Sequence, residues 1–279
     1  MKPLVDVLTS TTEYLRARGI PSARLDAELI LGHVLGLDRV KVYLNFDRPL
    51  KDDELERLRV LVKRRGAREP IAYLLGTKGF HAYDFVVTPG VLVPRPDTEA
   101  LVEAALAWIE GDPVYVADVG CGTGCIGLTI AKERPGVRLF AVDLADAAIA
   151  ATKANVEALG LKERVAVLRG DLLAPIPPSR AIDWVVSNPP YVPSADIAGL
   201  EPEVRDHEPR LALDGGPDGL DAYRRLVPVA AQRARMGVLV EVGAGQAPAV
   251  AHLMRAAGLA EVETRKDLAG IERVVAGRR

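Results

Sequence analysis

The period of the apolar residues changes once along this chain. Through residues 3–68 they recur every three or four positions: Val5, Leu8 and Tyr14-Leu15, then Leu25, Leu29, Ile30 and Val34, then Leu55, Leu58, Leu61 and Val62. That spacing predicts amphipathic helices, and Pro21-Ser22 and Gly36 punctuate the ends of the second one. A helix over 52–65 opens on Asp52, Asp53 and Glu54 and closes on Lys63, Arg64 and Arg65, signs that complement the helix dipole. The basic end, together with Arg57, Arg59 and Arg68, reads as a solvated helix face rather than a nucleic-acid patch. A docking surface for a partner protein is its functional alternative.

From 76 to 93, glycine, proline and the alternating Phe85, Val87 and Val91 predict a hairpin. Beyond it, short apolar runs at 114–117, 137–142, 165–168, 182–186, 238–242, 262–264 and 273–276 read as strands. Helical patterns over 126–133, 223–234 and 246–257 alternate with them. Such alternation is the signature of an α/β fold with a doubly wound sheet. Pro175-Ile176-Pro177-Pro178 reads as a surface loop. The expected organisation is a helical domain over 1–75, a hairpin linker over 76–95 and an α/β domain over 96–279.

Composition narrows the partners. The chain has 279 residues, 27% of them charged, with a formal net charge of -2. A protein that coats nucleic acid needs an excess of cations to neutralise phosphates, so direct nucleic-acid binding is not expected. The two cysteines, Cys121 and Cys125, provide no disulfide framework, and His33, His81, His207 and His252 are scattered. No metal site is expected from that pattern. Residues 1–6 hold no long apolar core for a signal peptide, and no apolar span has membrane length. A cytoplasmic, non-membrane protein is the expectation.

Two motifs carry chemistry. Asp118-Val119-Gly120-Cys121-Gly122-Thr123-Gly124 lies between a strand and a helix, where glycines admit close backbone approach and a helix start offers free N–H groups. Asp143 follows at about the spacing at which a carboxylate meets ribose hydroxyls. Asp171 ends the next strand, placed to accept from an adenine amino group. Because Gly122 to Gly127 also satisfies the dinucleotide-binding pattern, the glycines alone leave nicotinamide cofactors open. The second motif is Asn188-Pro189-Pro190-Tyr191, after the 182–186 strand. Its alternative reading is an Asn-Pro turn. A planar amino group is a poor nucleophile, so an enzyme that alkylates it must hold both N–H bonds. Asn188 offers a side-chain acceptor, the prolines fix the backbone and remove competing donors, and Tyr191 offers a flat face.

Taken together these residues resemble a class I S-adenosylmethionine-dependent methyltransferase acting on an amino or amide nitrogen. Leu92-Val93-Pro94-Arg95-Pro96-Asp97-Thr98-Glu99, the stretch Glu203 to Pro209, Leu213 to Leu220, and Glu69 to Gly76 are similar to the release factor N5-glutamine methyltransferase family. The resemblance covers nearly the whole chain. It implies a seven-stranded sheet whose last strand is antiparallel, with S-adenosyl-L-methionine as cofactor. The implied substrate is the glutamine of the Gly-Gly-Gln motif in class 1 peptide chain release factors, bound by a monomer. Gly120, Cys121, Gly122, Thr123 and Gly124 would hold the methionine part, Asp143 the ribose, and Asp171 with Leu172 the adenine, and Asn188 would touch the cofactor as well as the substrate. Asn188, Pro189, Pro190 and Tyr191 would clamp the amide, with Asn188 and the Pro189 carbonyl accepting its two hydrogens.

Other classes stay open on sequence. A DNA or RNA adenine-N6 methyltransferase needs the same amino clamp plus a base-flipping groove, and a nonenzymatic binding module needs no clamp. Pro94, Arg95, Pro96 and Glu99 either wall the site or cap a helix beginning near Asp97. Glu203, Glu208 and Arg210 either contact a protein substrate or brace the loop after Tyr191. Asp118 reads as a loop-organising carboxylate, and His207 as an ordinary exposed histidine.

Overall fold

The apolar stripes of the first 75 residues close on one another. In the computed structural model, which describes residues 2–279, they form α1 (Leu4–Arg16), α2 (Ala23–Leu35), α3 (Arg39–Leu44), α4 (Asp52–Gly66) and α5 (Ile71–Leu75). Leu4, Leu8 and Leu15 of α1 pack with Ile30 and Leu31 of α2 and Leu58 of α4 in a core of their own. Asp38 caps α3 by accepting from the Lys41 N–H at 2.8 Å. This unit runs to Gly76 and also takes in Glu201–His207. Arg65 of α4, only 5% exposed, bonds Asp26 Oδ2 at 2.7 Å and Glu203 Oε1 at 2.9 Å. Arg68 holds the other Glu203 oxygen at 2.6 Å. The solvated face expected of the basic end is therefore corrected for Arg65. Asp26 is buried on α2, and a buried carboxylate requires a cation.

The second unit comprises Thr77–Leu200 and Glu208–Arg279. It opens with the hairpin β1 (Thr77–Phe80) and β2 (Tyr83–Val86), then α6 (Glu99–Trp108). β3 (Val114–Val119), α7 (Cys125–Glu133), β4 (Val137–Asp143), α8 (Asp146–Ala158), β5 (Val165–Arg169) and β6 (Ile182–Ser187) follow. After α9 (Pro202–His207), which belongs to the helical unit, come α10 (Asp221–Arg233), β7 (Ala234–Glu241), α11 (Ala247–Ala256), β8 (Glu261–Lys266) and β9 (Glu272–Arg278). The division differs from the expected one in two places. The 77–95 stretch groups with the α/β unit rather than standing as a separate linker, and 201–207 leaves that unit for the helical one. Phe80 and Phe85 of the hairpin are buried in the core of the α/β unit, which is why the hairpin belongs to it.

The seven-stranded sheet has the order β5-β4-β3-β6-β7-β9-β8. β9 runs antiparallel to both β7 and β8, as the resemblance implied. All six residues of β6 are buried because helices cover both faces, as near-continuous apolar runs in parallel sheets require. Ile176 is also fully buried, so the 175–178 loop is pinned at its centre rather than lying wholly on the surface.

Strand order reverses between β3 and β6: the chain winds outward from β3 through β4 to β5, then crosses back to lay β6 against β3. Loops leaving the carboxyl ends of these two strands diverge and open a crevice, the usual ligand position in such sheets.

Candidate active site

Register builds the site. Val119 pairs with Ser187 in the parallel β3–β6 ladder, so Gly120 and Asn188 leave adjacent strand ends. One cleft is lined by Gly120, Cys121, Gly122 and Thr123, by Asp143, Asp171 and Leu172, and by Asn188, Pro189 and Pro190. Gly124 is not on the lining. It turns the chain into α7 at φ +81°, and a Cβ there would stand 2.8 Å from Leu128 Cδ1. Tyr191 is not on the lining either. Its hydroxyl points to Glu241 Oε1 at 3.5 Å, its carbonyl accepts from Gln246 Nε2 at 2.9 Å, and burial pushes its phenol up to about 12. Tyr191 is partly exposed and is held through these two contacts.

The glycine loop is organised by two carboxylates. Asp118 is fully buried, and its Oδ2 accepts from the Gly127 N–H at 2.9 Å. A Cβ at Gly127 would stand 2.8 Å from that oxygen, so glycine is required for the contact. Burial raises the Asp118 carboxyl to about 7, against the pull of the Gly127 N–H. Asp143 accepts from the N–H of Gly122 and of Ala145, each at 2.9 Å, which fixes its carboxylate at the cleft. Asp171 Oδ2 pairs with Arg225 of α10 at 2.5 Å, and Arg225 also lines the cleft. Leu172 takes φ +49°, an uncommon backbone for a branched residue that marks a constrained turn. Burial pushes the Cys125 thiol up to about 12 and the Cys121 thiol well above its ordinary value, so neither is a reactive thiolate.

Opposite the glycine loop, Pro94, Arg95 and Thr98 line the cleft. Glu208 braces them: one oxygen accepts from the Val93 N–H at 3.2 Å and the other from Arg95 at 2.5 Å. Glu203 is bound within the helical unit by Arg65 and Arg68, and Arg210 pairs with Asp214 at 3.0 Å. Glu99 accepts from the His81 N–H at 3.0 Å and is not on the lining. Arg225, Leu144 and Leu226 also line the cleft but carry no local signal in the chain, sitting in ordinary helical or loop contexts. Glu241 does carry one, as a lone charge inside the apolar 238–242 run. Among the described residues no group of side chains could hold a metal ion, and no helix is long and apolar enough to cross a membrane.

Comparison with known proteins gives a consistent result. Residues 6–76 match the PrmC N-terminal domain family and residues 97–199 the methyltransferase small domain family. The chain is 47% identical to a release factor glutamine methyltransferase of Geobacter sulfurreducens, over 98% of this chain and 95% of that protein. It is 46% identical to one of Rhodospirillum rubrum, over 95% of this chain and 82% of that protein. Among solved structures, the human METTL16 catalytic domain, in complex with an RNA hairpin, aligns with TM-score 0.57 at 16% identity, over 69% of this chain and 75% of that one. At that identity the likeness is one of fold.

Proposed function

The chain belongs to the release factor glutamine methyltransferase family, and from that membership we propose that it methylates the side-chain amide nitrogen (N5) of the glutamine in the Gly-Gly-Gln motif of class 1 peptide chain release factors. The observation that carries this reading is the single cleft shared by the glycine loop and Asn188-Pro189-Pro190, set by the pairing of Val119 with Ser187.

S-adenosylmethionine supplies a methyl carbon on a cationic sulfur. The residues present fit it: positive-φ glycines at 120 and 122 leave the strand end open, the start of α7 presents N–H groups that have no partner within the helix, and Asp143 is held rigid by two backbone donors. Gly120 to Thr123 would hold its methionine part, Asp143 its ribose, and Asp171 with Leu172 its adenine.

The chain's own part in the reaction is orientation. Asn188 Oδ1 and the Pro189 carbonyl accept the two hydrogens of the glutamine amide and turn its lone pair toward the methyl donor. Holding a near-attack geometry contributes several kcal/mol, and acceptors aimed at a nitrogen becoming positive add electrostatic stabilisation. Water takes the released proton. The helical unit docks the release factor away from the glutamine. The protein works as a cytoplasmic monomer.

Incubation with labelled S-adenosylmethionine, a release factor and, separately, DNA or RNA tests the reading. Label on the Gly-Gly-Gln glutamine, located by mass spectrometry, is expected. Label in nucleic acid alone, or cofactor binding without transfer, rejects it.

A further inference from the structure

Asn188 can clamp an amide only if its oxygen, not its amino group, faces the cleft, and nothing in an asparagine by itself sets that choice. The structure does set it. Asn188 Nδ2 donates to Thr98 Oγ1 at 3.2 Å. Thr98 is 2% exposed and closes the single 3-10 turn Pro96–Thr98, which runs into α6 with helical backbone angles at Thr98. Its hydroxyl makes no capping bond to the first N–H groups of α6.

We propose that Thr98 is a positioning residue for the transfer reaction, whose hydroxyl accepts from Asn188 Nδ2 and thereby turns Asn188 Oδ1 toward the substrate amide. The assignment rests on the proposed amide clamp. Its logic is donor and acceptor matching. A hydroxyl has one proton, and Glu241, the last residue of β7 and 1% exposed, has a buried Oε2 without a hydrogen-bond partner, an acceptor open to that proton. Burial pushes the Glu241 carboxyl up to about 7, and the Thr98 hydroxyl is the group that most favours its ionised form. With its proton directed at Glu241, Thr98 meets Asn188 only with lone pairs. A flipped Asn188 would set its oxygen against those lone pairs and point an N–H at the N–H bonds it must hold.

Two measurements test this. In the first, Thr98→Val and the smaller Thr98→Ala should lower kcat on the order of 10- to 100-fold with cofactor Kd unchanged. Thr98→Ser should restore most of the rate, and Thr98→Val in an Asn188→Ala background should cost nothing further. Equal losses with and without Asn188 overturn the proposal. The second needs no substrate: the Asn188 side-chain N–H signals, assigned by their loss in Asn188→Ala, should be protected from hydrogen exchange in the parent protein and unprotected in Thr98→Ala. Unchanged protection overturns the positioning role. A parent protein that leaves glutamine unmethylated rejects the substrate reading instead, and the exchange result still decides on Thr98.

Discussion

Ser187 Oγ donates to the Val119 carbonyl at 2.7 Å, joining the last residues of the two neighbouring strands from which the site is built. Both residues are buried. The bond locks the strand ends at the point where the loops diverge, so it holds Gly120 and Asn188 at a fixed separation. Ser187→Ala should cost about 1 kcal/mol of stability, read as a lower denaturant midpoint with an unchanged m-value. A larger fall in kcat than in cofactor affinity should accompany it. An unchanged midpoint would show that the ladder alone holds the register.

Asn188→Ala removes an acceptor aimed at the reacting amide. By analogy with deleting one polar group from a charge-stabilising site, kcat should fall on the order of 100- to 1,000-fold. Cofactor affinity, measured by titration calorimetry, should change little, because Asn188 acts on the substrate. Parallel losses in both would contradict the role assigned to it.

Two buried carboxyls give stability a pH dependence. Asp118 and Glu241 are both raised to about 7, chiefly by burial. A carboxyl raised in the folded state keeps its proton after the unfolded chain has lost it. The unfolded state therefore binds fewer protons between about pH 4 and pH 7, and stability falls as pH rises through that window. For Asp118 the shift amounts to about 4 kcal/mol. In Asp118→Asn the side-chain oxygen still accepts from Gly127, so Tm should fall less between about pH 5 and pH 8 than in the parent protein. Identical slopes in the two proteins would place the cost elsewhere.

Arg65 joins Asp26 and Glu203 in the helical unit, and Asp26 is 2% exposed. Arg65→Ala leaves that carboxylate without its cation and should destabilise by about 3–5 kcal/mol. Adding Asp26→Leu to Arg65→Met should recover most of the loss, since apolar packing often replaces a buried ion pair without cost. Chemical denaturation of the three variants checks the order. A double variant no better than Arg65→Ala would show that Glu203 needs the arginine more than Asp26 does.

How much of this was legible in the chain depended on range. The helical stripes of α1, α2 and α4 and the strands 114–119, 137–143 and 182–187 follow from periodicity, which is local. So do the glycine loop and the Asn188-Pro189-Pro190 turn, because glycine frees and proline fixes the backbone wherever they stand. What the letters left open was settled by packing. Arg65 bears the marks of a solvated helix end, and only the approach of Asp26, 39 residues away, draws it inside.

The sequence by itself determined the element types, the resemblance to a family and the residues able to hold an amide. Tertiary structure decided which of them face one another. Tyr191, next to Pro190 in the chain, meets Glu241, 50 residues away, through its hydroxyl. Thr98, 90 residues from Asn188, arrives beside it. The reason is physical: backbone preference acts between neighbours, whereas hydrogen-bond matching in a buried site acts between whatever the sheet brings together.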